Sequence, residues 1–294
     1  MSERTRWLLL LVLPPLLWAG NALVGRATST EVAPIELSFW RWLLALALLL
    51  PFTIRDVLAH APVLRARWRV VVIMGLFSVA AYNTLLYMAV QTTTAINATL
   101  MGASMPLMLL LLGRLWLGEP IRPAQALGIA VSALGMLAVV ARGDPARLLG
   151  LGFTPGDILM LLATLSWAIY SVMLKRYALP VPGAALLAVL IMVGVITLAP
   201  LYAWHVAHHG VMSPTPRVLG AIGYTALFAS LCAYYFWNRG VAVVGAATAG
   251  QFTYLIPLFT AVLAVLLLGE EFRWFHALGG GLIFAGIGLA TKRQ

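Results

Sequence analysis

Residues 95–135 read AINATLMGASMPLMLLLLGRLWLGEPIRPAQALGIAVSALG, and residues 246–286 repeat the pattern as AATAGQFTYLIPLFTAVLAVLLLGEEFRWFHALGGGLIFAG. Each copy is an apolar run with a proline near its middle that ends at Gly-Glu, followed by a second apolar run that begins Ala-Leu-Gly. A single offset of 151 positions brings Pro106 onto Pro257 and Glu119 onto Glu270. Such matches in register are not expected by chance in a leucine-rich chain, so the repeat predicts two related structural units.

The composition indicates a membrane protein. Hydrophobic residues make up 62% of the 294 residues and charged residues 10%, whereas a soluble domain is roughly half apolar and one quarter charged. The net charge of +10 comes from basic residues scattered singly between apolar runs, which is typical of a membrane border and not of a nucleic-acid site. We therefore expect the lipid bilayer and a small-molecule substrate as partners, with no nucleic acid and no obligate protein partner.

Ten apolar runs are long enough to cross a bilayer, which requires roughly 20 residues per helix. The predicted fold class is an all-α integral membrane protein with ten transmembrane helices. The runs cover residues 7–25, 34–53, 69–90, 95–117, 123–141, 156–174, 183–204, 218–238, 246–268 and 273–291.

The first run resembles a secretory signal, because Arg4 and Arg6 precede it. We expect it to stay in the protein, since Trp18 and Asn21 correspond to Trp167 and Tyr170 of the sixth run at an offset of 149. The two repeats are predicted to cover residues 1–147 and 148–294.

The basic residues predict the orientation, because cytoplasmic loops are enriched in lysine and arginine. Thirteen of them fall on the side that holds both termini and five on the other, so both termini are expected in the cytoplasm. Each unit contains five helices, an odd number, so the second unit must enter the membrane from the opposite side. The chain is therefore predicted to be an inverted repeat, an arrangement that supports alternating access.

Three motifs carry a resemblance to a known family: Trp-Ala-Gly-Asn at 18–21, Phe-Trp-Arg at 39–41, and the repeated proline followed by Gly-Glu. Together with the two five-helix halves, they resemble the EamA family of the drug/metabolite transporter superfamily over essentially the whole chain. The chain is most similar to the bacterial aromatic amino acid exporters. The resemblance implies ten helices, a bacterial inner-membrane location, and export of small metabolites without a cofactor.

Polar and aromatic residues inside the spans are the candidates for binding, because a polar side chain in hydrocarbon is costly unless it faces the bundle interior. Amides and phenols can bond an ammonium or a carboxylate, and aromatic and methionine faces can hold an apolar group. The alternative is that these residues form interfacial belts and bonds between helices. The candidates are Trp18, Asn21, Asn83, Tyr87, Asn97, Met101, Trp167, Tyr170, Tyr234, Asn238, Gln251 and Tyr254.

Other positions receive mainly structural interpretations. Pro106 and Pro257 remove a backbone donor at mid-span, so each is expected to kink its helix and is a candidate hinge. Arg41, the one basic residue well inside a span, could bind an anion, but a packing role near the helix start is favoured. The other expectations are interfacial positions for Trp7, Trp42, Trp116 and Trp274, close helix packing for Gly128, Ser132, Gly135, Gly279, Gly280, Gly281, Gly286 and Gly288, and a solvated loop for His205, His208 and His209.

The residue types that are absent from the predicted spans limit the functions that the chain could have. All nine acidic residues lie in loops or near helix ends, so no carboxylate is available at mid-membrane as a proton relay. Facilitated, gradient-driven transport or weak coupling is therefore expected. An intramembrane enzyme would need an HExxH motif or a pair of mid-span aspartates, and the spans contain neither. A pore would need charged rings or a filter loop. Cys232 stands alone, and no metal site is expected.

Overall fold

The ten predicted spans are helices in the computed structural model, which describes residues 2–150, 152–268 and 271–291. Gly269 and Glu270, which end the first part of the second repeat, lie outside the described residues. The fold class predicted from the sequence is confirmed. The spans are α1 Glu3–Gly25, α2 Pro34–Ala59, α3 Trp68–Thr92, α4 Asn97–Leu117, α5 Pro123–Val140, α6 Pro155–Tyr177, α7 Gly183–His209, α8 Pro216–Val244, α9 Ala246–Leu263 and α10 Trp274–Thr291.

Four of the spans begin at a proline, namely Pro34, Pro123, Pro155 and Pro216. Proline suits the first helical turn, because its fixed φ matches the helix and its missing N–H would have no partner there. At the start of α6 the Asp157 carboxylate also accepts a hydrogen bond from the backbone N–H of Thr154 at 2.6 Å. These starting signals explain why nine of the ten predicted starts lie within two residues of the observed ones, whereas α1 begins four residues earlier than predicted and α2, α7 and α8 end five or six residues later.

Five spans are interrupted, three of them by a short break or a 3₁₀ turn between α-helical pieces. In α4 and α9 the interruption comes in the turns before Pro106 and Pro257, as expected for residues that lack a backbone donor. The α-helical pieces are Glu3–Leu10 and Leu13–Ala27 in α1, Ala95–Gly102 and Met105–Leu117 in α4, and Ala246–Gly250 and Leu255–Leu268 in α9, with a 3₁₀ turn at Gln251–Tyr254.

Two π-helical segments lie at equivalent places in the two halves. Leu76–Ala81 interrupts α3, and Thr225–Cys232 interrupts α8. Shifting the first segment by 151 positions places it inside the second. Short π-helical segments are rare and often mark functional sites, so this symmetric pair draws attention to the middle of α3 and α8.

The helices of the two halves pack with each other in matching pairs. Helix α1 packs on α9 and α8, and its counterpart α6 packs on α4 and α3. Helix α2 packs on its counterpart α7, and helix α5 packs on its counterpart α10. These matching pairs are the arrangement expected of two related units around a pseudo-two-fold axis.

Helices α5 and α10 run antiparallel at very close range. A methyl carbon built on Gly128 would lie 2.5 Å from the Gly286 carbonyl oxygen, and one built on Gly135 would lie 2.6 Å from the Gly279 carbonyl oxygen. Between these points the Ser132 hydroxyl donates to the Ile283 carbonyl at 3.3 Å. Residue numbers that rise along α5 pair with residue numbers that fall along α10, so the two helices are antiparallel. Because α5 and α10 are counterparts in the repeat, the two halves are inverted. Small residues allow this approach.

The histidine cluster differs from the prediction. Helix α7 continues to His209, so His205, His208 and His209 lie in its last turns and not in a loop. The apolar face of α7 continues beyond the predicted end at residue 204, which explains the longer helix. The Nε2 atom of His205 lies 3.9 Å from a carboxylate oxygen of Glu36 on α2.

Gly135→Ala should lower the stability of the protein, because the added methyl group would meet the Gly279 carbonyl oxygen. Overpacking of this kind costs about 1–3 kcal/mol. The measurement is the midpoint of thermal unfolding of purified protein in detergent. The matched control is Gly281→Ala on α10, where an added methyl would meet nothing within 4 Å and alanine is the better helix former. An equal loss in both variants would contradict the proposed close packing.

Candidate functional site

An aromatic cluster fills the middle of the bundle, where the two halves meet. The Trp18 ring of α1 lies 5.2 Å from the ring of its repeat counterpart, Trp167 of α6, in an edge-to-face arrangement. Trp167 also lies 4.8 Å from Tyr234, and Trp18 lies 5.4 Å from Trp237, both on α8. Three of the four rings are at most 1% exposed, so they form the core of the interface between the halves.

Two hydrogen-bonded pairs of tyrosine and asparagine flank this cluster. The Tyr87 hydroxyl donates to the Asn21 side-chain oxygen at 3.3 Å, and the Tyr170 hydroxyl donates to that of Asn238 at 2.7 Å. Asn21 corresponds to Tyr170 in the repeat, and Tyr87 corresponds to Asn238. The two halves therefore contain the same contact with its two chemical groups exchanged.

The π-helical segments connect to this network through their backbone carbonyls. The Asn83 side chain donates to the Tyr234 hydroxyl at 3.2 Å, and Tyr234 donates in turn to the Ser78 carbonyl at 2.7 Å. In the other half the Trp18 indole donates to the Ala229 carbonyl at 3.1 Å. The two carbonyls stand at equivalent repeat positions, so each segment offers an acceptor to the opposite half.

Eight of the twelve candidate residues thus belong to one network, which we call the central cluster. Every member either bonds or stacks against another member. Its members are Trp18, Asn21, Asn83, Tyr87, Trp167, Tyr170, Tyr234 and Asn238.

Arg41 enters the central cluster, although its sequence context favoured a packing role. Its Nη1 atom donates to the Tyr87 hydroxyl at 2.6 Å, to the Asn83 side-chain oxygen at 3.0 Å and to that of Asn21 at 3.4 Å. Its Nε and Nη2 atoms donate to the Ser230 hydroxyl at 3.0 and 2.8 Å. The side chain is 1% exposed. Sequence reasoning missed Ser230 altogether, because a serine in an apolar run carries little signal.

Glu36, the carboxylate nearest to Arg41 in sequence, has other partners. One of its oxygens accepts the backbone N–H of Met212 at 2.9 Å and the other accepts that of Ala33 at 3.3 Å. Among the residues that the structure describes, no carboxylate oxygen lies within 4.0 Å of an Arg41 nitrogen. The guanidinium is therefore surrounded by neutral groups alone.

Four candidate residues lie outside the central cluster. Asn97 donates to the Asp157 carboxylate at 2.9 Å and to the Gly152 carbonyl at 2.8 Å, at the start of α6. Met101 packs beside it against a small satellite group of apolar side chains. Gln251 and Tyr254 lie in the 3₁₀ turn of α9 and are 0% and 3% exposed. Both polar atoms of the Gln251 amide are buried without a hydrogen-bond partner.

Two of the tryptophans assigned to the membrane border are instead buried. Trp42 is fully buried, with its ring 5.0 Å from the Tyr234 ring, and Trp7 packs against Tyr235 and Phe236 of α8. Trp42 follows Arg41 and shares the inward face of α2, which a position near the helix start did not reveal. The other two fit the expectation, since Trp116 and Trp274 are 39% and 64% exposed.

The groups in the central cluster are capable of hydrogen bonding and apolar contact. The cluster offers amides, phenols and a guanidinium beside aromatic faces, all packed directly against one another. Two pockets of about 300 and 320 Å³ lie elsewhere, at Ala47–Ile54 on α2 and at Ala66–Val70. In the described part of the chain, no three His, Cys, Asp or Glu side chains form a group that could hold a metal ion.

Comparison with known proteins finds relatives that are named as transporters or exporters. The chain is 28% identical to an uncharacterized transporter of Archaeoglobus fulgidus, over all of this chain and 99% of that protein. It is 28% identical to the inner membrane transporter YedA of Escherichia coli, over 94% and 87% of the two chains. It is also 27% identical to a probable terminal-alkyne amino-acid exporter of Streptantibioticus cattleyicolor, over 76% and 73%.

The fold is also found among solved structures. One crystal structure superimposes with a TM-score of 0.79 and 24% identity, over 98% of this chain and 97% of the other. The sequence model of the EamA-like transporter family matches twice, at residues 5–141 and 154–292. With ten apolar helices in the described residues and transporters among its relatives, this multi-pass membrane protein belongs to the EamA-like transporter family.

Proposed function

We propose that this transporter exports small amphipathic metabolites, most of all amino acids including aromatic ones, across the bacterial inner membrane by alternating access. The observation that carries the proposal is the pair of symmetry-related contacts, Asn21–Tyr87 and Tyr170–Asn238, on either side of the aromatic cluster. The relative from Streptantibioticus cattleyicolor is named as an amino-acid exporter, and that from Escherichia coli as an inner membrane transporter. The first name supports amino acid export, and the second supports an inner-membrane location.

The chemistry of the central cluster suits an amphipathic solute. The edges and faces of Trp18 and Trp167 can hold an aromatic or aliphatic side chain. The amide oxygens of Asn21 and Asn238 and the phenols beside them can bond an ammonium group. These amides and phenols are neutral, so they bind without the desolvation penalty of a charge, which in the central cluster falls on Arg41 alone.

The inverted repeat supports the alternating-access part of the proposal. Two related halves can exchange conformations, so that a site between them opens first to one side of the membrane and then to the other. The side chains of the central cluster are packed against one another, so a solute can enter only if helices move apart. We place the halves at residues 1–147 and 148–294 and both termini in the cytoplasm.

Counterflow in proteoliposomes tests the proposed function. Vesicles preloaded with unlabelled phenylalanine, tryptophan, threonine or methionine should accumulate the labelled form of the same amino acid, with saturation and competition, and without an imposed proton gradient. A carrier exchanges solute in this way because the loaded site can reorient from either side, whereas a pore gives no accumulation. Folded protein that exchanges none of the four would contradict amino acid transport.

Trp167→Ala and Asn21→Ala should each reduce exchange at least tenfold at equal membrane expression. The first removes the ring that packs on Trp18 of the other half, and the second removes the side-chain oxygen that accepts from Arg41 and Tyr87. One good contact of this size corresponds to about 1.4 kcal/mol or more. The matched control is Trp274→Ala, whose ring is 64% exposed at the end of α10. The measurement is the initial rate of counterflow. Equal losses in all three variants would exclude the central cluster as the binding site.

Pro106→Ala and Pro257→Ala test the proposed hinges in α4 and α9. Both helices are interrupted in the turns before these prolines, and an alanine would let the helix close its hydrogen bonds across the break. We expect a lower turnover with unchanged half-saturation, since the change affects motion and not the binding residues. The same counterflow rates, measured over a range of substrate concentrations, separate the two quantities. Unchanged turnover in both variants would make the breaks static bends.

A further inference from the structure

The Arg41 guanidinium is a buried positive charge whose partners within the described chain are all neutral. Its donors are directed at oxygen atoms of Asn21, Asn83, Tyr87 and Ser230, which come from three other helices. Neutral acceptors satisfy hydrogen bonds but leave the charge uncompensated in a medium of low dielectric, which is strongly unfavourable. An anion at this point would be bound tightly for the same reason.

Two indole N–H groups, one beside Arg41 and one in the central cluster, also lack an acceptor. The Nε1 atoms of Trp42 and Trp167 are buried without a hydrogen-bond partner. The Arg41 guanidinium lies 5.0 Å from the Trp42 ring, and the Tyr234 ring lies 5.0 Å from Trp42 and 4.8 Å from Trp167. Buried donors are normally paired, so this part of the site holds more donors than acceptors. An acceptor bound here would pair with these donors, and a negatively charged one would also compensate the charge of Arg41.

Other cations in this chain show what a structural pairing looks like. Arg217 lies 2.9 Å from a carboxylate oxygen of Glu31, and Lys175 pairs with Glu119. Both pairs are partly exposed, where solvent would tolerate an unpaired charge. Arg41 is the most deeply buried of these cations, yet no carboxylate in the described part of the chain pairs with it. A role in packing alone does not explain why Arg41, the cation whose burial makes an unpaired charge most costly, lacks a counterion among the described residues.

We propose that Arg41 binds the carboxylate of the transported solute, while the apolar part of the solute lies against the rings of Trp18 and Trp167. This inference rests on the proposed function, because it assigns one end of the substrate within the transport site. Arginine suits the task, since its planar fork can donate two parallel hydrogen bonds to a carboxylate. The proposal restricts the substrates to carboxylate-bearing metabolites and excludes amines that lack the acid group.

The test compares compounds that differ only in the acid group. Phenylalanine and tryptophan are measured beside their carboxamides, and 3-phenylpropionate beside 3-phenylpropionamide. The readout is binding to the purified full-length protein, followed by the shift in its thermal unfolding midpoint over a range of ligand concentrations. We expect the wild type to bind each carboxylate about ten- to a hundredfold more tightly than its amide, as for loss of a charge-assisted hydrogen bond.

Arg41→Gln should abolish this preference. Arg41→Lys retains the charge without the planar fork, so it should retain part of the preference and also serve if the glutamine variant does not fold. The matched control is Arg69→Gln, because Arg69 is exposed and its guanidinium also lies over a tryptophan ring, that of Trp68, at 5.5 Å. Its carboxylate preference should equal that of the wild type.

The outcomes separate this inference from the proposed function. Equal binding of acid and amide by the wild type, an unchanged preference in both Arg41 variants, or no binding of any carboxylate would overturn the role of Arg41. Counterflow of phenylethylamine would overturn it as well, while leaving a transporter of amphipathic solutes. A carboxylate preference that depends on Arg41 without exchange of any amino acid would support the inference and exclude amino acids as the cargo.

Discussion

A guanidinium enclosed by helices must be surrounded by acceptors, and that requirement organises the middle of this molecule. Arg41 stands on α2, and its acceptors come from α1, α3 and α8, so four helices converge on one side chain. Asn21 and Tyr87 are held in place by Arg41 and also by their own contact. Because Arg41 faces inward, the adjacent Trp42 is carried into the core, where it packs on Tyr234.

The π-helical segments supply the rest of the central network. In each half a carbonyl of the segment accepts a hydrogen bond from an aromatic side chain of the other half: Ser78 from Tyr234, and Ala229 from Trp18. In α8 the Ser230 hydroxyl donates to the Thr225 carbonyl five residues earlier at 2.9 Å, and so presents its oxygen to the guanidinium. The irregular backbone is tolerated at this depth because protein groups, and not lipid, meet its polar atoms.

Much of this arrangement could be predicted from the sequence, for physical reasons. Span positions follow from the length and apolarity that a bilayer demands. The repeat offset then brought Asn83 opposite Tyr234 and Trp18 opposite Trp167, so most of the central cluster could be identified by its symmetry. Asn97 could not be placed, because its position depends on a contact with Asp157, and no offset relates the two residues.

The burial of Trp42 was missed because the prediction considered how far Trp42 lies along the helix and did not consider which face of the helix it occupies. Ser38, Arg41, Trp42 and Ala45 follow one another at helical spacing and are all buried, so they form a single inward stripe. A serine and an arginine on one face of a predicted span are the signal that could have revealed it. The same stripe would have indicated that Arg41 faces the candidate site, and so would have changed its interpretation from a packing residue to a site residue.

The central cluster is symmetric in its polar pairs but not in its charge. Helix α7 is the counterpart of α2, and its residues at the position equivalent to Arg41, Leu190 to Met192, are apolar, with Leu190 and Ile191 fully buried. The two halves can therefore move as equivalent bodies while the charge stays with the first. A solute with one acidic end would keep a single orientation relative to Arg41 throughout the cycle. In the alternating access that we propose, the symmetric pairs would allow the two halves to move alike, and Arg41 would orient the solute.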